Sequence, residues 1–192
     1  MTTSFLKPRA NSPLNVVWRE GLITGESCDQ LVAYCETLPV LDAVLTGPQV
    51  PEARQSTIAW VPQQKDSAPL FDLVRTQAEE LNAEHFGFDL VGFGERMQYA
   101  RYGTGKGHYD WHIDVGPGAN SLRKLSIIIQ LSDEADYEGG DVEFQAPGPI
   151  TRLPRKRGTL AVFSPFLLHR VTQVTRGERR SLVAWISGPP FR

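Results

Sequence analysis

The sequence predicts a mainly β fold with an N-terminal α layer, a double-stranded β-helix of the jelly-roll type. Two observations carry this. From about Val91 onward the chain is a series of short extended segments separated by Gly, Pro and Asp, the signature of a sandwich or barrel. Before that point lie two segments with apolar residues at helical spacing, so helices come first and pack on one face of a β core. A length of 192 residues suits a single domain with a sizeable core. The chain is therefore read as one domain over 1–192, with a helical support region and edge strands in 1–90 and the jelly-roll core in 91–192.

Residues 1–13, with Pro8, Asn11 and Pro13, read as a loose arm, and Val16, Val17 and Trp18 as a short strand. Thr24 caps a helix of about fourteen residues. Its stripe is Leu31, Val32, Cys35 and Leu38, and Pro39 ends it. Arg54 to Val61 alternates as a strand, with Ser56, Ile58 and Trp60 on one face. Ser67 and Pro69 open a second helix whose stripe is Leu70, Leu73, Val74, Ala78 and Leu81, ending near Phe86-Gly87. The later strands are Arg96–Tyr102, His108–Asp114, Lys124–Leu131, Asp141–Phe144, Gly158–Phe163, His169–Val174 and Arg179–Ile186.

A formal charge of −2, with 41% hydrophobic and 22% charged residues, describes an ordinary soluble protein. It gives no global reason for binding nucleic acid or membrane. The last third is locally basic, but the run Arg152–Arg157 has no interleaved aromatics to stack bases, which argues against nucleic acid. Cys28 and Cys35 lie seven residues apart on a helix, a rise of roughly 10.5 Å, too far for a disulfide. No segment is apolar enough for a signal peptide or a membrane span. A reducing, cytoplasmic setting follows as the expectation.

The chemistry concentrates in few residues. His112 and Asp114 are two apart on a predicted strand and so point to one side. His169, on a later strand, can add a third ligand. Two histidines and one carboxylate with open positions opposite form the facial triad of non-haem Fe(II) oxygenases. Period alone leaves a competitor open, because His108, Asp110, His112 and Asp114 would share one face. Beyond a turn at Arg176-Gly177, Arg179 and Ser181 share a strand face, and a guanidinium fork with a hydroxyl suits a carboxylate. Arg180 stands as the alternative anchor.

From about Arg54 to the C-terminus the chain resembles the 2-oxoglutarate- and Fe(II)-dependent dioxygenases of the prolyl 4-hydroxylase type, especially PKHD-type hydroxylases. The resemblance rests on Gln98–Tyr102, Tyr109–Asp114, Lys124–Ser126, Leu131-Ser132, Tyr137–Val142 and His169–Gly177, through to Trp185. It implies Fe(II), 2-oxoglutarate and dioxygen (O2) as cofactor and co-substrates. Oxidative decarboxylation to succinate and CO2 would be coupled to hydroxylation of an unactivated C–H bond. A family tyrosine three residues before the metal histidine, and another about ten before, match Tyr109 and Tyr102 and favour His112 and Asp114 as ligands. The offset to Trp185 favours Arg179 as the anchor of the co-substrate. Tyr102 resembles a tyrosine that reaches 2-oxoglutarate. Gln130 stands where some relatives carry a tyrosine on the distal carboxylate.

The resemblance points to a prolyl or other residue of a peptide or protein as substrate, with a free amino acid or small metabolite as the alternative. A non-catalytic jelly-roll binding module is the contrasting class. Arg54, Trp60, Tyr109 and Trp111 are the candidate substrate residues. Gly47–Gln55 and Gly116–Asn120 are the candidate lids. Ile127, Ile129, Leu131, Val162 and Val183 are candidate dry walls of the site.

Overall fold

The structure is a computed structural model and describes residues 14–43 and 53–191. The N-terminal arm, and all but the end of the segment Gly47–Gln55, lie outside the described residues. The strands are β1 (Val16–Arg19), β2 (Val40–Asp42), β3 (Arg54–Gln55), β4 (Thr57–Val61), β5 (Gly92–Phe93), β6 (Met97–Gly103), β7 (His108–His112), β8 (Arg123–Gln130), β9 (Tyr137–Gly139), β10 (Val142–Gln145), β11 (Thr151–Arg152), β12 (Leu160–Phe163), β13 (Leu168–Val171) and β14 (Val174–Ser187). The larger sheet runs β1-β12-β8-β14-β6-β4-β2, with β5 and β9 also paired to β14; the smaller runs β11-β10-β13-β7-β3. All these pairings are antiparallel.

The helices are α1 (Gly25–Glu36) and α2 (Ala68–Leu81). Thr24 accepts a hydrogen bond from the Ser27 amide at 3.2 Å, a cap worth about 1 kcal/mol. α1 stops at the Thr37 cap, because Leu38, preceding Pro39, is steered away from helical backbone. α2 has its proline in the first turn and gives way at Asn82 to one wider turn, closed by Gly87 at φ +70°. Leu70, Phe71, Val74, Ala78, Leu81, Cys28 and Cys35 join Leu125, Ile127, Ile129, Leu160, Val162 and Leu182 in the main core, so the helices cover one face of the larger sheet. Both cysteines are free and buried. No described helix is long and apolar enough to cross a membrane.

Strand alternation then fixes what the opposite face presents. Ile128, Ala161 and Phe163 of the larger sheet pack against Val142 and Phe144 of the smaller, with Val183 alongside. A second inter-sheet cluster joins Ile58, Ala100, Tyr102, Val171 and Val174. The expected dry walls need correction here. Ile127, Ile129, Leu131 and Val162 belong to the helix-covered face, and only Val183 of that group faces the smaller sheet.

Two further expectations change. The strand Arg54–Val61 breaks at Ser56, and its halves serve different sheets: β3 pairs with β7, and β4 with β2 and β6. The turn at Arg176-Gly177 is an irregularity within the continuous β14, where Gly177 takes φ +72° and a Cβ would meet the Asp136 carbonyl at 1.9 Å. The basic run 152–157 is dispersed into structural ties. Arg152 pairs with Glu143 and Arg157 with Asp29, while Arg155 lies over the Tyr137 ring and donates to its carbonyl.

Candidate active site

The larger sheet builds half of the site by register. Arg179 lies opposite Tyr102, Ser181 lies between Ala100 and Gln130, Val183 between Gln98 and Ile128, and Trp185 opposite Ser126. All of these share the parity that faces the smaller sheet. On the smaller sheet, Phe144, His169 and His112 are aligned across β10, β13 and β7, and beside them Val142, Val171, Tyr109 and Arg54 are aligned out to β3.

A bulge decides which histidine faces inward. His112 pairs with His169 and Tyr109 with Val171, so three steps on β7 match two on β13. The extra residue reverses the alternation, and Tyr109 and His112 come to the same face, with rings stacked at 3.4 Å between centroids. The bulge is locally satisfied: Asp110 accepts the Trp111 amide on its carboxylate at 2.8 Å, and its carbonyl meets His112 Nδ1 at 2.7 Å. The expectation that His108, Asp110, His112 and Asp114 share one face therefore fails. Trp111 also lies on the outer face, with the Arg170 guanidinium over its ring at 4.6 Å.

His112, Asp114 and His169 converge, with ligand atoms all within 4.8 Å of one another. His112 Nε2 is 3.7 Å from Asp114 Oδ1, and His169 Nε2 is 3.7 Å from Oδ2. Each imidazole sets its Nδ1 against a carbonyl two residues back, Asp110 for His112 and Leu167 for His169. A carbonyl only accepts, so Nδ1 carries the proton and the Nε2 lone pair points to the common centre. Burial and the neighbouring His169 push His112 down to about 3, which keeps that lone pair free at neutral pH. Burial pushes the Asp114 carboxyl up, but the two imidazoles and the Ser126 hydroxyl outweigh it and hold the group below the usual carboxylate range.

The supports of Asp114 carried no role in the sequence reading. Ser126 donates to Oδ2 at 2.6 Å. Arg123 donates to the Asp114 carbonyl at 2.8 Å, is held by both Glu95 oxygens at 2.7 Å, and lies 3.9 Å over the Trp185 ring. The Pro165 carbonyl accepts the Asp114 amide at 2.7 Å. One signal was available: Ser126 lies four residues before Gln130 on one strand and therefore on its face.

Arg179 sits 1% exposed in the same interior. It donates to Ser181 Oγ at 3.3 Å and to the Gln130 amide oxygen, and its guanidinium is 5.5 Å from the Tyr102 ring centre. Gln130 in turn donates to the Tyr137 hydroxyl at 2.8 Å, a residue that sequence reasoning did not single out as a contact. No carboxylate among the described residues pairs with Arg179, and its Nε is buried without a partner. Gly140, at φ +65°, lets the chain pass closely, since a Cβ there would lie 3.1 Å from Arg179 Cδ. Arg180 points to the other face and pairs with Glu36 and Glu178.

Arg54 and Tyr109 stand together at the edge of the interior, with the guanidinium 4.6 Å from the phenol ring centre. Trp60 is half-buried in register with Gln98, with Arg96 over it at 5.6 Å. The Gly116–Asn120 segment runs into a short 3-10 turn at Gly118–Leu122. Two imidazoles and a carboxylate converging on one centre fit Fe(II) with positions left open. A deep cation without a counter-ion fits a dianion that reaches from that centre.

Comparison with known proteins agrees with this geometry. Residues 97–187 match the 2OG-Fe(II) oxygenase superfamily model. A PKHD-type hydroxylase of Maricaulis maris is 30% identical over 129 residues, 65% of this chain and 58% of the relative. A PKHD-type hydroxylase of Synechococcus is 28% identical over 171 residues, 88% and 66% respectively, so this chain spans less than two thirds of either relative. The fold is shared with a Pseudomonas putida prolyl-4-hydroxylase at TM-score 0.73 and 21% identity, covering 90% of this chain and 92% of that one. It is shared too with a Trichoplax adhaerens prolyl hydroxylase solved with a hypoxia inducible factor peptide fragment, at TM-score 0.74 and 16% identity, covering 91% and 84%. Over residues 97–187 the chain is similar to the 2OG-Fe(II) oxygenase superfamily, and its likeness among curated proteins is to the PKHD-type hydroxylases.

Proposed function

We propose that this chain is an Fe(II)- and 2-oxoglutarate-dependent hydroxylase, with His112, Asp114 and His169 as metal ligands and Arg179 as the anchor of the co-substrate. The observation that carries the reading is a buried guanidinium without an acid, in the same interior as a triad with two oriented Nε2 lone pairs. A charge kept there without a partner is unfavourable, and a dicarboxylate chelating the metal at one end would neutralise it. When bound, iron with 2-oxoglutarate and dioxygen supplies the oxidising power for an unactivated C–H bond.

The chain's own part is positional. The two carbonyls fix the imidazole tautomers, and the Ser126 hydroxyl fixes the Asp114 carboxylate, so that these three residues would hold the metal. Ser181, Gln130 and, through Gln130, Tyr137 orient the Arg179 fork. Ile128, Phe163, Phe144 and Val183 exclude water. The names of the structural neighbours support a prolyl residue of a peptide or protein as the target, and two buried free thiols support a reducing, cytoplasmic setting.

The test is the visible spectrum of the metal-free protein after adding Fe(II) and 2-oxoglutarate without oxygen. A weak charge-transfer band needing both additions is expected. It should vanish in His112→Ala and survive in His108→Ala. A folded protein that gives no band at any loading sinks the reading and leaves a jelly-roll binding module.

A further inference from the structure

The row of inward side chains that carries His169 and His112 ends at His112, because β3 is only two residues long and pairs with Tyr109 and His108 alone. The neighbouring row continues one strand further, to Arg54. Arg54 therefore stands beside the open sheet edge next to His112, two contact layers from that ring: guanidinium on Tyr109, and Tyr109 on His112.

Its side chain is held firmly and not neutralised. Nε donates to Ser56 Oγ at 2.9 Å and Nη2 to the Gln98 amide oxygen at 2.8 Å, both neutral acceptors. Gln98 belongs to the larger sheet, so Arg54 spans the gap between the sheets. Among the described residues no carboxylate pairs with it, and one whole amino group, Nη1, has no acceptor. The residue also lines a cleft of about 560 Å³ that does not reach the metal triad and whose other charged members are Asp42, Arg101, Lys106 and Glu178. Glu178 is committed to Arg101 at 3.0 Å and to Arg180 at 2.9 Å. Lys106 has no acid partner among the described residues, so the uncommitted charge facing the cleft is mainly positive, with exposed Asp42 against it.

We propose that Arg54 is a specificity-determining residue that receives a carboxylate of the substrate. The oxidised substrate is then a carboxylate-bearing molecule: a free amino acid, or a peptide with a free C-terminal or acidic side-chain carboxylate close to the oxidised carbon. The proposal rests on the hydroxylase reading above and adds a substrate class to it. A pre-oriented guanidinium gives up little freedom on binding and presents a planar pair of donors to an anion. A purely structural arginine bridging β3 to β6 would be indifferent to the charge of the substrate.

The experiment uses the full chain loaded with Fe(II) and 2-oxoglutarate. The anaerobic band is recorded first for the wild type, Arg54→Gln and Arg54→Lys, so failure of the metal and co-substrate reading is seen by itself. Succinate release above the substrate-free rate is then measured with the twenty free L-amino acids, their α-amides, and prolyl peptides with free or amidated C-termini and with or without an adjacent glutamate. At least one carboxylate should accelerate turnover while its amide does not. Arg54→Gln should lower kcat/KM for it by roughly tenfold to a hundredfold, mostly through KM, with partial rescue in Arg54→Lys. Which arm responds separates a free amino acid from a peptide. With the band intact, any of three results overturns the proposal: amides as good as the acids, an unchanged KM in Arg54→Gln, or no response to any carboxylate in the panel.

Discussion

At Arg179 a full charge is kept 1% exposed, with neutral partners and an unpaired Nε. Replacing a buried ionic group by an apolar one of similar volume is commonly neutral or stabilising. Arg179→Met should therefore leave the melting temperature of the ligand-free protein unchanged or raise it. It should also abolish the rise that 2-oxoglutarate gives the wild type, since a ligand stabilises only what binds it. A thermal melt with and without 2-oxoglutarate checks both. A large fall in the ligand-free melting temperature would mean that Arg179 serves packing. Arg179 was singled out in the sequence by the hydroxyl two residues on and, against Arg180, by the family resemblance through its offset to Trp185. Ser126 and Tyr137 were not, since a serine or a tyrosine in a strand is ordinary until register puts it beside a ligand.

Among the elements, the smaller sheet depends on a side chain that parity would send outward. Glu143 on β10 is nevertheless 2% exposed, because Arg152 of β11 meets it at 2.8 Å and Arg170 of β13 at 2.7 Å. Burial pushes its carboxyl up, but the Arg170 and Arg152 contacts outweigh that and hold it below the usual value. A depressed carboxyl stabilises the fold fully above its ordinary value near 4.5, and the gain is lost as pH falls through the lower folded value. Glu143→Gln should thus lower stability by about 1–3 kcal/mol at neutral pH. Denaturant titrations of wild type and variant should converge at acid pH, and a gap independent of pH would exclude the charge as its source.

The elements also mark how far the sequence could be read. The two helices, the longer strands and the His-x-Asp pair follow from period and turn residues, which are local signals, whereas the short strands β2, β5, β9 and β11 carry no such signal. The bulge that separates His108 from His112 carries none either, because it is defined by the partner strand. The same holds for the change of sheet at Ser56 and for β14 running on through Gly177. Ile127 and Ile129 were candidate dry walls because they are apolar, and only the packing of the sheet places them on the helix-covered face.

For the whole molecule, the two sheets are not equal partners. The larger one is covered by α1 and α2 and centred on β14, which pairs with β5, β6, β8 and β9 and carries Arg179 and Ser181. The smaller sheet has no helix in the main core and carries His112 and His169. Local opening draws on the regions with fewest buried contacts. Deuterium uptake followed by mass spectrometry should then find amides of 181–186 among the slowest, and those of 108–112 and 168–171 faster in the metal-free protein. Uniform protection across both sheets would refute this ordering. On the proposed reading the consequence would be an order of assembly: the carboxylate anchor Arg179 would mature with the core, while His112 and His169 would set last, with metal loading as the step that completes the domain.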